Sequence, residues 1–495
     1  MEIAAPAFKL ATQGIYGNDL FAGFYGAEKH YYVFMPMYPI AVALSFKVFG
    51  LGVAQARLVS VLSGLATVWL TYRLGKRLFD PAVGHAAAAA LCFTRLAIDP
   101  HRTGITLLDL SRMIRFDVMV PALVLGACLC FVHGQTTGSR GAMFASGLLV
   151  GFATLAHVWG AFVLPLFVGV AIWHNRWRAQ AWLQLAALGA GVGLALLPWV
   201  LYIAQAPGDF SGQMLRHQGR FDILNPGWYW TNLLHEHWRF ARWVGGRFRQ
   251  PILWPRPGLL AFALAVALAN IQLLASLRRA RQLASGFLLA SVPVLAVLMG
   301  LLVNQKRYPY TLLVLPFLGL QAGLGLVTTW RWSAQRKLAR ALIVVLCAST
   351  LLEAGVAVTR TLVAAASVTP YAAVTAAIQR LIPKGSRALI SQTYWMGLID
   401  DTTRSVILVH ALADSRFHPP GGALSMPQAF RQVRPEYVTL EDRFVGYESP
   451  QNPAVEHLWS DFVRSMLSLC PTVVGRIDLP DYEPLTIYRC GDLAP

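Results

Sequence analysis

Apolar stretches of membrane length recur through the first three quarters of the chain. A spanning helix needs about 20 apolar residues, and ten segments reach or approach that: 55–75, 82–98, 117–133, 142–157, 158–173, 183–204, 258–277, 284–303, 309–330 and 341–360. The fourth and fifth are short and meet near His157–Gly160, so one bent hairpin is an alternative to two crossings. Ahead of the spans, Ile3–Leu10 predicts an amphipathic helix, and Gly14–Tyr32, rich in Gly and Tyr, predicts a loop. The texture changes near Thr369–Pro370. Beyond it, "RALISQTY", "RSVILVH", "EYVTL", "TVVGRIDLP" and "LTIYRC" predict short strands, and Val455–Leu469 predicts a helix. The pattern predicts an α-helical polytopic membrane protein of about ten transmembrane helices with a small C-terminal α/β extracytoplasmic domain. Its regions are an outward-facing juxtamembrane loop region over 1–54, a multi-span domain over 55–360 and the α/β domain over 361–495.

The polar connections alternate in character. Arg73–Asp80, Gly134–Gly141, His174–Trp182, Ser276–Leu283 and Arg331–Arg340 are short, and together hold 13 Lys/Arg against a single acid, Asp80. Short basic loops mark the cytoplasmic side of a membrane protein. Ten crossings then leave both the N-terminal segment and the tail from Thr361 outside, with the site of chemistry on the outward face. An outward N-terminal segment needs something to carry it across, and residues 1–36 hold neither a signal peptide nor a span. The simplest expectation is a further span upstream of this sequence. Translocation of a short tail is the alternative.

Composition narrows the class. Hydrophobic residues make up 56% of the chain, charged ones only 13%, and mean hydropathy is +0.50, whereas soluble domains carry about a quarter charged residues. The formal net charge of +18 is uneven: residues 1–360 hold 31 Lys/Arg against 11 Asp/Glu, residues 361–495 hold 11 against 13. Basic loops between spans are explained by orientation and anionic head groups, so membrane lipids are expected partners and nucleic acid is not. His235–Glu236–His237 is a poor metal motif, because residues two apart do not share a helical face; flanked by Trp230 and Trp238, it reads as an interfacial aromatic segment. No cofactor is required, and a divalent metal is left open. Cys92, Cys128, Cys130 and Cys347 fall in spans as apolar filler. Cys470 and Cys490 lie in the tail, either bonded to each other or free.

Carboxylates near the apolar zone are few. Asp117 stands at the mouth of a span, directly after Arg115 and Phe116. It is either an N-cap worth about 1 kcal/mol or a functional group, as ionisable residues at membrane depth usually are. Arg112 and Arg115, three apart, are expected on one helical face beside it. Asp99 and Asp109 are expected to be solvated or paired with arginines. Lys306 and Arg307 sit at an outward span entrance, where a membrane phosphate would lie, with interfacial snorkelling as the competing reading. Glu353 is the one carboxylate deep in a late span.

Several stretches, in order, resemble the GT-C class of membrane glycosyltransferases, in the branch of the protein O-mannosyltransferases and lipid A aminoarabinose transferases. "FKLATQGIYG" resembles the amphipathic helix after that family's acidic pair. "FMPMYPIAVALSFKVFGLGVAQARLVSVLSGLATVWLTYRLGKRLFD" resembles its proline-rich juxtamembrane segment and second span. "SRMIRFDVMVPAL" matches the acid that opens its fourth span, "RHQGRF" lies in the long outward loop, and "NQKRYPYTLLVLPFLGL" precedes a late span.

The resemblance implies a glycosyltransferase moving a sugar from a polyprenyl-phosphate donor to a lipid, polysaccharide or protein acceptor on the outer face of a bacterial plasma membrane. Such a reaction needs a carboxylate to take the acceptor's proton and cations to hold the departing phosphate. It needs no nucleotide fold, and the chain has neither a P-loop nor a dinucleotide fingerprint. By this resemblance Asp117 corresponds to the second acid. Counted back from Gly14, the first acidic pair falls at or just before Met1, so Glu2 is either a survivor of that pair or its neighbour, and is the stand-in base. Arg115, Arg216, Arg220, Lys306 and Arg307 are the phosphate-binding candidates, with His217 beside them. One departure is Met35, where aminoarabinose transferases carry a lysine; Lys29 and His30 are the candidates to replace it. A transporter or lipid flippase, or a catalytically inactive GT-C-like binding protein, would also fit the spans and basic loops.

Overall fold

The computed structural model describes residues 3–97, 102–218, 222–244, 256–279, 282–399, 402–445 and 453–492. Helix α1 (Ala4–Gln13) ends at Gly14 and leads through the Gly/Tyr loop to α2 (Met37–Phe49). The long α3 (Val53–Leu78) turns into α4 (Pro81–Phe93) at Asp80. That carboxylate accepts the Val83 amide at 2.9 Å while Pro81 fills the first helical position, the two strongest start signals a helix has. A short α5 (Thr106–Ser111) precedes α6 (Met119–Thr137), which forms a hairpin with α7 (Arg140–Ala156). The hairpin turn is set by Gly138 at φ +75°, a left-handed position suited to glycine, and by Ser139, whose hydroxyl accepts the Ala142 amide. Then come α8 (Val163–Asn175), α9 (Ala179–Gln205), α10 (Pro207–Gln218), α11 (Pro226–Leu234), α12 (Pro257–Arg279), α13 (Leu283–Leu302), α14 (Leu315–Trp332), α15 (Lys337–Ala366) and α16 (Tyr371–Leu381).

Each of the ten predicted apolar segments holds a helix, the second of them ending already at Phe93. Among the described residues, seven helical segments are long and apolar enough to cross a membrane, those built on α3, α6, α8, α9, α12, α13 and α15; α4 and α7 are shorter apolar helices. Between α7 and α8 there is a joint rather than a bend. His157 is extended, and a 3-10 turn over Val158–Phe162 restarts the chain.

Helix association inside a bilayer rests on close packing and interhelical hydrogen bonds, and both are present. A Cβ on Gly147 would lie 2.0 Å from the Leu188 carbonyl oxygen, and one on Gly191 2.2 Å from that of Phe144, so α7 and α9 touch backbone to backbone. Gln135 donates to Gln184 at 3.1 Å, Asn175 donates to Gln135 at 2.8 Å, and Gln184 donates to the Gly134 carbonyl, tying α6, α8 and α9 together. Gly147→Val forces these helices apart and should destabilise the bundle by about 1–3 kcal/mol, read as a lower unfolding temperature in detergent.

The tail carries α17 (Val406–Ala413), α18 (Met426–Val433) and α19 (Pro453–Leu469) around a five-stranded sheet. Its strands are β1 (Ala388–Ile390), β2 (Arg404–Ser405), β3 (Tyr437–Glu441), β4 (Thr472–Ile477) and β5 (Leu485–Arg489), in the order β2-β1-β3-β5-β4. β1 runs parallel to β2 and β3, and β5 is antiparallel to β3 and β4. One sequence expectation fails. "RSVILVH" is strand only at Arg404–Ser405, because the Ser405 hydroxyl accepts the Ile407 amide and starts α17, most of which is buried. Cys470 and Cys490 are bonded to each other. The sheet domain meets the N-terminal segment directly: Tyr25 Oη lies 2.9 Å from His418 Nδ1, and Phe8 packs edge-on against Trp395.

Inside this domain His410 is 7% exposed, stacked on Phe462 and close to Trp459, and its Nε2 has no partner among the described residues. Burial pushes its imidazole down to about 4, outweighing the upward pull of Asp414. The folded state thus refuses a proton that the unfolded chain accepts. The resulting stability is complete above about pH 6.5 and is lost as pH falls toward 4, by about 3 kcal/mol. His410→Phe should flatten the acid limb of the domain's stability curve over that window.

Candidate active site

The chain leaves the helical state after Ser111 and re-enters it through a 3-10 turn over Phe116–Val118 at the foot of α6. Arg115, just before that turn, is extended. Its amide donates to Tyr38 Oη at 3.1 Å and Ser60 Oγ at 3.3 Å, which are themselves 2.7 Å apart. This network on α2 and α3 fixes the backbone that presents Asp117.

Asp117 is 5% exposed, and one of its oxygens is gripped twice by Arg115, from Nε at 2.8 Å and from a terminal nitrogen at 2.7 Å. Its side chain caps no backbone amide of that turn, so the N-cap alternative fails. The other oxygen, Oδ1, is buried with no partner among the described residues. An unpaired buried acceptor costs about 1–3 kcal/mol, which a donor arriving in the site would recover. Arg112 does not join the pair: it lies beyond the end of α5 and is exposed, since the helical face it was expected to share is not formed.

A second charged cluster lies nearby. Lys306 is 2% exposed and sits 2.8 Å from Glu236, with a further bond to the Gly300 carbonyl. Arg239 meets the same carboxylate with two bonds, at 2.6 and 3.0 Å, and donates to the Met299 carbonyl. Burial pushes the Lys306 ammonium down while Glu236 pulls it back up. One carboxylate thus faces two buried cations, leaving net positive charge, and Arg239 keeps a buried nitrogen without a partner among the described residues. An aromatic chain joins the clusters. The Arg239 guanidinium lies 5.8 Å from the Tyr310 ring, Tyr310 is 5.4 Å from His157, and His157 stacks on Phe116 at 5.0 Å, next to Asp117.

Of the residues singled out from the sequence, Asp117, Arg115 and Lys306 come to this one region. Snorkelling does not describe Lys306, which is buried; its neighbour Arg307 is exposed. Glu2, Arg220 and Asp99 lie outside the described residues, as do the side chains of Arg216 and His217 on α10. Asp109 is neither solvated nor paired with arginine: it is buried and accepts the Thr103 amide and hydroxyl and the Gly104 amide, latching its own loop. Lys29 is exposed, and His30 is committed to Asp209 at 3.1 Å. The sequence reading missed Glu236, Arg239, His157 and Tyr310. The Glu-x-x-Arg spacing of Glu236 and Arg239 was a usable signal for an ion pair one turn apart. Among the described residues no cluster of His, Cys, Asp and Glu is arranged to hold a metal ion, and His235 stacks on Trp238 instead.

Compared with solved structures, the whole architecture has close counterparts. ArnT from Cupriavidus metallidurans bound to undecaprenyl phosphate superposes with a TM-score of 0.60, at 16% identity, over 100% of this chain and 94% of that one. The fold is that of the GT-C membrane glycosyltransferases. The Archaeoglobus fulgidus oligosaccharyltransferase shares this GT-C fold with a TM-score of 0.62, at 11% identity, over 95% of this chain and 68% of the other. In sequence, the dolichyl-phosphate-mannose-protein mannosyltransferase family matches residues 35–202. Undecaprenyl phosphate-alpha-4-amino-4-deoxy-L-arabinose arabinosyl transferases are also similar in sequence. One from Pseudomonas aeruginosa is 26% identical over 213 residues, 39% of this chain and 36% of the relative. One from Pseudomonas fluorescens is 28% identical over 206 residues, again 39% and 36%. The matched part thus spans little more than a third of these relatives' length.

Proposed function

We propose that this chain is a membrane glycosyltransferase that moves a sugar from a polyprenyl-phosphate donor to an acceptor hydroxyl or phosphate. It would work with inversion, on the outward face of a bacterial plasma membrane, with the sheet domain extracytoplasmic. The observation that carries this reading is the pairing of a buried, half-satisfied carboxylate, Asp117, with a cluster whose two cations outnumber its one acid. The acceptor oxygen attacks the anomeric carbon as the bond from that carbon to the phosphate oxygen breaks. For a hydroxyl acceptor, Asp117 Oδ1 or an acid at the position of Glu2 receives the released proton. The charge left on the polyprenyl phosphate is held by Lys306 and Arg239, with Arg216, Arg220 and Arg307 as further candidates. A desolvated cationic pocket stabilises developing negative charge far better than water does. The chain's similarity to aminoarabinose transferases supports a pentose or hexose donor. The Cys470–Cys490 bond supports an oxidising compartment for the sheet domain.

The test is direct. Purified protein in lipid nanodiscs, given an undecaprenyl-phosphate-linked sugar and a lipid A acceptor, should release undecaprenyl phosphate with time. A transporter, a flippase or an inactive binding protein would release none with any acceptor tried.

A further inference from the structure

An apolar groove runs between α4, α12, α14 and α15, on a part of the molecule that neither charged cluster of the candidate site uses. Small side chains such as Ala86, Ala90, Ala261 and Ala265 alternate in its walls with larger ones such as Phe262 and Leu346, leaving about 240 Å³ of space. A second cleft shares Leu326, Ile343, Cys347 and Leu351 with it and continues to Ala82 and Arg331. From Ala82 to Phe93 along α4 the groove is about 17 Å long at 1.5 Å per residue, close to half of the ~30 Å hydrocarbon thickness of a bilayer. That is the reach of a chain in one leaflet. α15 is the least buried of the long apolar helices, and the groove lies along its side. At membrane depth such a space fills with hydrocarbon.

One end of the groove is charged. On α15, Ile343, Cys347 and Thr350 line it, and Glu353 continues the same helical stripe. Gly258 and Thr350 close the groove there, and a Cβ on Gly258 would lie 3.0 Å from Glu353 Oε2. Glu353 Oε1 faces Arg95 at 3.8 Å and Arg256 at 4.0 Å. Arg256 is 5% exposed, and its terminal nitrogens donate to the carbonyls of Arg95, Leu96, Ala97 and Trp243. Yet Arg256 Nε and Glu353 Oε2 are both buried with no partner among the described residues. Just beyond this end of the groove, behind Gly258 and Thr350, lie an unused donor on a cation and an unused acceptor on an anion, with the positive charge in excess. A purely anionic head group would satisfy only the first. A head group carrying a phosphate and an ammonium satisfies both.

We propose that this groove is a binding site for a phospholipid with a primary-amine head group: one acyl chain lies between α4, α12, α14 and α15, the phosphate faces Arg95 and Arg256, and the ammonium faces Glu353. The site is separate from the one assigned to the sugar donor and does not depend on transfer activity.

Native mass spectrometry of the protein, released from micelles supplied with equal amounts of phosphatidylethanolamine and phosphatidylglycerol, tests it. Wild-type protein should retain phosphatidylethanolamine about tenfold over phosphatidylglycerol, the discrimination expected of one desolvated ammonium–carboxylate pair. Ala261→Trp fills the groove and should lower bound phospholipid about tenfold. Glu353→Gln keeps the shape but should equalise the two lipids, which a variant that merely misfolds would not do. Equal retention of the two lipids by wild type overturns the proposal. So does undiminished lipid on Ala261→Trp, or a groove occupied by undecaprenyl phosphate in preference to either phospholipid.

Discussion

Asp117→Asn should lower sugar transfer about 10²–10⁴-fold, the range over which a positioned acid–base group contributes, while leaving the unfolding temperature within a few degrees of wild type. The reasoning rests on the two oxygens of one side chain. Oδ2 is fully engaged by Arg115, and asparagine with its oxygen turned that way keeps the anchor. Oδ1 has no partner among the described residues, and replacing it with an amide nitrogen turns a proton acceptor into a donor. Structure is largely kept and chemistry is lost. Turnover at the wild-type rate in this variant would remove Asp117 from the mechanism.

Glu236→Ala should be the most destabilising single change at the site, by about 3–5 kcal/mol, because it leaves Lys306 and Arg239 buried together without a counter-charge. Lys306→Met should cost less, since Arg239 still neutralises the carboxylate through two hydrogen bonds. If these cations hold the donor's phosphate, added undecaprenyl phosphate should raise the unfolding temperature of Glu236→Ala more than that of wild type, because the ligand takes the place of the missing anion. An equal or smaller rise in the variant would show that the pair is structural only.

Much of this molecule could be read from its residues because membrane helices are set by composition over a window rather than by one position. All ten apolar segments hold helices for that reason, and Asp117 stood out because a charge at the edge of an apolar run is rare. What could not be read depends on three-dimensional neighbours. Glu236 looked like part of an aromatic loop until α13 and the segment after it brought Lys306 against it. Asp109 looked solvated or paired with arginine, yet it folds its own loop through backbone amides that carry no sequence signature. The β-branched run after Arg404 has the composition of a strand and becomes a helix, because Ser405 caps it and its neighbours bury it.

The strand order β2-β1-β3-β5-β4 bears on how the molecule is made. β5, the last strand in the chain, lies between β3 and β4, so the sheet cannot close until Leu485–Arg489 have left the ribosome. Until then β3 shows a bare edge, and the N-terminal segment, whose Phe8 on α1 and Tyr25 in the loop dock against Trp395 and His418, waits for partners synthesised nearly 400 residues later. The interior of this sheet is therefore completed last. A premature stop ahead of β5 would not trim the border of the sheet. It would take out an interior rung, and with it Cys490, the bonding partner of Cys470.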